Sequence, residues 1–128
     1  MAIRVVRLGS PRGTGEGLRL GTVRRPPRGV PKAEFASRDF YDVWVPDLAP
    51  SEALLKQALG ADTDRAWRVF VRRYRMEMKR PEPRRLLDLL AALSRQTNFS
   101  VGCYCADEGH CHRSILRELL KEKGAHIG

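Results

Sequence analysis

Hydrophobic and polar positions change period several times along the chain, and each change marks an element. Ile3-Arg4-Val5-Val6-Arg7-Leu8 is β-branched and apolar and is stopped by Gly9-Ser10-Pro11, which predicts a short strand. The glycine-rich run 9–17 predicts a loop, and the alternation over Leu18 to Val23 a second strand. Arg24 to Lys32 contains three prolines, which remove backbone donors and fix φ, so an extended basic loop is expected there. Residues 37–50 mix Phe40, Tyr41, Trp44 and Pro46 with Asp39, Asp42 and Asp47, the composition of an irregular, partly buried acidic stretch.

The second half reads as mostly helical. Ser51 is placed to cap a helix running to Leu59, with Gly60 ending it. A longer helix spans about 62–79, where Trp67, Phe70, Val71, Tyr74 and Met78 form one apolar stripe. Arg65, Arg68, Arg72, Arg75 and Lys79 repeat along another face. Pro81 and Pro83 are expected to break the chain before a third helix from Arg84 to Arg95. Asn98 to Cys105 reads as a buried strand, and Ser114 to Lys123 as a closing helix ended by Gly124. His126-Ile127 then begins a last strand. Strands alternating with helices predict a single α/β domain over 1–128: a Rossmann-like sandwich with a small, mainly parallel sheet and helices on both faces.

Composition narrows the partners. The 128 residues carry 24 Lys and Arg against 15 Asp and Glu, a formal charge of +9. Residues 1–32 hold eight basic residues and one acidic, and residues 65–95 ten and three, whereas 33–64 hold two and seven. Such blocks suit an anionic partner. The apolar runs are too short to span a bilayer, Met1-Ala2-Ile3-Arg4 lacks the shape of a signal peptide, and no membrane partner is expected. Three cysteines crowded between Cys103 and Cys111 do not make a secreted disulfide scaffold, so a reduced cytoplasm is the expected location.

Chemistry concentrates in Val101 to Arg113, which should run strand, loop, helix N-terminus. In open α/β sheets ligands sit beyond the carboxyl ends of strands, where free helix N–H groups face anions. Three readings compete. Cys103, Cys105 and Cys111, with His110 or His112, supply the thiolate and imidazole ligands of a soft metal site or a redox sensor. Alternatively, Cys103 or Cys111 is a nucleophile with a histidine base, and Arg113 grips an anionic substrate. In the structural reading the cysteines are small core residues and Arg113 pairs with an acid such as Glu108. The basic loop and the arginine face of the second helix also allow a non-catalytic nucleic-acid module, for which Tyr41 and Trp44 are the only aromatics left to stack on bases. Asp39, Asp42 and Asp47 are expected to neutralise neighbouring arginines.

Arg25-Pro26-Pro27-Arg28-Gly29-Val30-Pro31-Lys32, the stretch from Asp39 through Leu48-Ala49-Pro50-Ser51, Phe70 to Met78, and Cys111-His112-Arg113 together resemble the family called domain of unknown function 488. The resemblance runs from about Leu18 to Ile127 and implies a bacterial or archaeal cytosolic α/β domain. The family's usual ending is a buried strand closing on Cys, a short acidic loop, then Cys-His-Arg opening a helix. By that pattern Cys103, Cys111, His112 and Arg113 carry over, while Cys105 stands where many relatives have an acidic residue. The expectation that follows is a pocket for a phosphate-bearing small molecule or nucleic acid. Arg25 and Arg28 lie on one side, Arg113 and the helix N-terminus on the other, and thiol chemistry falls to Cys103, Cys111 and His112.

Overall fold

The computed structural model of the chain describes residues 1–60 and 62–128. Four strands form one sheet: β1 (Ile3–Arg7), β2 (Leu18–Gly21), β3 (Val43–Trp44) and β4 (Phe99–Cys103), in the order β1-β4-β2-β3, with every pair parallel. Four α-helices accompany it: α1 (Glu52–Leu59), α2 (Asp64–Glu77), α3 (Pro81–Leu93) and α4 (His112–Glu122). Single 3-10 turns occupy Lys32–Glu34, Pro46–Leu48 and Glu108–His110. The architecture is the Rossmann-like α/β sandwich that the alternation implied. β3 lies inside the stretch read as irregular, and the last strand reduces to a single parallel bridge between Ile127 and Ile3.

Register decides which side chains share a face. Val5, Val101 and Leu20 stand level in adjacent strands, as do Ile3, Phe99 and Leu18. Most of these enter one core with Leu54 of α1, Phe70 and Tyr74 of α2, Leu87 and Leu90 of α3, and Leu116 and Leu120 of α4. All four helices therefore cover one face, not both. The physical reason lies in the strand order. The β1→β2 and β2→β3 connections step one way across the sheet, whereas β3→β4 and β4→Ile127 step back. Right-handed crossovers put the two directions on opposite faces, and every α-helix lies in a connection that steps back.

The opposite face is closed by loops. The Arg19 side chain lies there, fully buried, against Glu16 and the carbonyls of Ser10 and Asp39. Gly21 admits the Tyr41 ring so closely that a Cβ at that position would stand 2.3 Å from it. Asp42 and Asp39 pair with Arg12 at 2.8 and 3.4 Å, the neutralising role expected of them.

Helix starts differ from the expected ones for identifiable reasons. Thr63 caps α2 by accepting from the Ala66 N–H, so that helix begins at Asp64. Pro81 and Pro83 do not break the chain but open α3. Proline is tolerated in a first turn because its missing N–H would have no intrahelical partner there. α4 begins two residues early, at His112, with Cys111 as its N-cap.

Candidate functional site

β2 and β4 are neighbours, yet the chain leaves them in opposite directions, β2 toward β3 and β4 toward Ile127 beyond β1. The crevice at their carboxyl ends is thus the switch point where parallel α/β sheets seat ligands. Thr22 follows β2 and Cys103 ends β4. The Thr22 hydroxyl donates to the Gly102 carbonyl at 2.9 Å, which ties the two strand ends together. Gly102 is required there, since a Cβ would meet the Val6 carbonyl oxygen at 2.7 Å.

Cys103 and Cys111 are buried, as is His112, and their sulfurs and one imidazole nitrogen lie within 4.8 Å of one another. His112 donates from Nε2 to the Thr22 carbonyl at 2.7 Å. A carbonyl only accepts, so Nε2 carries the proton and Nδ1 presents a lone pair, 3.8 Å from Cys111 Sγ. Burial brings the imidazole down to about 4, which keeps it neutral near pH 7. Tyr74 packs edge-on against the ring at 5.7 Å.

Cys105 is the exposed member of the group. The neighbouring Cys103 and Cys111 thiols, helped by the Arg113 charge, favour its thiolate and pull its pKa down. Cys103 rises because Cys105 and Cys111 lie against it and because it is buried. Cys111 rises as well: Cys103 favours its thiolate, but Cys105 and burial outweigh that effect.

Arg113 is only 3% exposed and donates from Nη2 to the Cys105 carbonyl at 2.7 Å. Its buried Nε has no partner. Glu108, the acid suggested as its structural partner, is instead taken by Arg117 at 2.7 and 2.9 Å. His110 turns outward to Asp107, 3.1 Å away, and to the Trp67 ring, so His112 and not His110 is the histidine beside the sulfurs.

Above this floor is a cavity of about 160 Å³, lined in part by Arg24, Arg25, Tyr104, Cys103, Cys105 and His112. Arg24 donates to the carbonyls of Ala49 and Pro50, and Arg25 pairs with Glu52 at 2.9 Å on the surface. Tyr104 donates to the Arg25 carbonyl at 2.9 Å. Arg28 is exposed, and neither Arg28 nor Arg113 is among the residues that line this cavity. Of the two aromatics left for stacking on bases, Tyr41 is buried, and Trp44 is 43% exposed with its ring N–H donated to the Val23 carbonyl at 2.7 Å. Thr22 and Tyr104 were not singled out from the sequence, and Arg24 was read only as part of the basic loop. The one signal for Thr22 was its place at the carboxyl end of a strand.

Fold and site together define an all-parallel α/β domain with a thiol and imidazole cluster at its switch point. The chain belongs to the DUF488-N3a family, described as the active DUF488-N3 subclade, whose model matches residues 3–124. No curated protein and no solved structure matches it. Among the described residues, no helix is long and apolar enough to cross a membrane.

Proposed function

We propose that the cavity between β2 and β4 receives the phosphate-class anionic group of a ligand. Arg113 carries this reading: it is a buried cation at the start of α4 that, among the described residues, has no carboxylate partner and leaves its Nε unsatisfied. Leaving a buried donor unpaired costs about 1–3 kcal/mol, so such a group is expected to have a partner that comes and goes. Arg24 and Arg25 line the cavity, Arg113 follows its lining residue His112 in the chain, and the first turn of the 11-residue α4 adds the positive end of a helix. About 160 Å³ is below the roughly 300–1,000 Å³ of sites that enclose whole small molecules. The cavity then takes one group, and the rest of the ligand lies over Tyr104 and the basic loop. A nucleic-acid module without such a pocket is less well supported, because Tyr41 is buried and Trp44 alone is exposed to stack on a base.

The test is calorimetric titration of the protein with inorganic phosphate and nucleoside phosphates, in wild type and Arg113→Met. A hydrogen bond to a charged group is worth about 1.5–3 kcal/mol, so the variant should bind about 10–100-fold more weakly while remaining folded by circular dichroism. Wild-type affinity in the double variant Arg113→Met, Arg25→Met would overturn the reading.

A further inference from the structure

We infer that Cys103, Cys111 and His112 hold a soft divalent ion of the zinc class, with Cys105 closing the fourth position. Four observations carry this beyond the anion reading, on which it does not depend. The two buried sulfurs and one imidazole nitrogen already converge within 4.8 Å. Tetrahedral zinc places its ligands at about 2.0–2.3 Å and hence about 3.5–3.8 Å from one another, which the 3.8 Å between Cys111 Sγ and His112 Nδ1 matches.

The second observation is the direction of the histidine lone pair. Core packing alone accounts for buried cysteines, but not for an imidazole whose N–H is committed to the Thr22 carbonyl so that its bare nitrogen faces them. Metal-bound histidines are oriented in this way, by a carbonyl or carboxylate on the far nitrogen. Third, the donors come from ordered elements: Cys103 from the end of β4, Cys111 and His112 from the cap and first residue of α4. Strand and helix start are joined by the hydrogen bonds of Thr22 to both Gly102 and His112. Fourth, Cys105 lies just outside that cluster but lines the same cavity as Cys103 and His112, and the Arg113 guanidinium holds its carbonyl. Thiolate and imidazole donors in a four-ligand set select zinc, and cobalt(II) in its place, over hard cations such as magnesium.

The experiment uses the full chain, reduced and stripped of metal, titrated with cobalt(II) and then zinc in phosphate-free buffer. One ion per chain is expected. The cobalt form should show thiolate charge-transfer bands and tetrahedral ligand-field bands, both displaced by zinc. Zinc should also protect Cys103 and Cys111 from a thiol reagent. Cys111→Ser should lose the bands, whereas Cys105→Ser, at the exposed position, should keep binding with weaker charge-transfer absorption. Should Cys111→Ser not fold, the stoichiometry and thiol protection of the wild type still decide. No uptake by the folded, reduced wild type, or unchanged cobalt spectra in Cys105→Ser, would overturn the assignment. Phosphate binding measured with and without zinc separates the two proposals: loss of metal in Cys111→Ser leaves the Arg113 contact in place, and Arg113→Met leaves the three buried donors Cys103, Cys111 and His112.

Discussion

Glu16→Gln probes the loop-covered face of the sheet, where a single ion pair is enclosed in the fold. The Arg19 side chain has no exposed surface and that of Glu16 is 4% exposed. Arg19 donates from Nε and Nη2 to the two Glu16 oxygens at 2.8 and 3.0 Å, and from Nη1 to the Ser10 and Asp39 carbonyls. Glu16 also accepts from the Ser100 hydroxyl at 2.7 Å and the Gly13 N–H at 3.1 Å. Burial by itself raises the carboxyl, but Arg19, then Ser100 and Gly13, outweigh it and bring the group from 4.5 to about 2. That gap is worth about 3 kcal/mol of folding stability, within the range of about 3–5 kcal/mol for breaking one side of a buried pair. The folded-state value is the lower one, so the contribution is complete above about pH 4.5 and disappears as pH falls through about 2. Urea unfolding of wild type and Glu16→Gln should differ by about 3 kcal/mol at pH 7 and by only about 1 kcal/mol at pH 3. A difference below about 1 kcal/mol at pH 7, or an equal difference at both pH values, would refute the assignment of this charge to the fold.

Two further substitutions test the packing around the site. Tyr74→Phe removes the phenol that donates to the Leu48 carbonyl at 2.6 Å in the core, and stability should fall by about 1–3 kcal/mol in the same urea assay. A loss under about 0.5 kcal/mol would mean that the carbonyl finds another partner. Gly21→Ala forces a methyl against the Tyr41 ring, and the thermal midpoint should drop by an amount equivalent to about 1–3 kcal/mol, with a change in tyrosine near-ultraviolet circular dichroism. An unchanged spectrum would show that Tyr41 does not seal this face against β2.

Period alone located most of the elements. The stripe on α2 buries Phe70, Tyr74 and Met78 because a 3.6-residue repeat puts them on one side whatever they meet. The place of the Cys/His cluster was legible at the same level: strand, loop and helix start were read from Val101 to Arg113, and the cluster lies there. Pro81 was misplaced because a proline reads alike in sequence as a helix stop or a first-turn residue, and only the backbone before it distinguishes the two.

What the chain order could not reveal is which residues meet. The identity of the helix-covered face followed from β4 inserting between β1 and β2, a pairing between residues 80 or more positions apart. The same insertion brought Thr22 to His112 and so turned the imidazole toward the sulfurs. It was packing that sent His110 outward, gave Glu108 to Arg117 and left Arg113 without an acid. The division has a physical cause. Side-chain period is a property of the local backbone and is written in every few residues. Hydrogen-bond partners across a parallel sheet are set by strand order and register, which exist only once the whole chain has closed on itself.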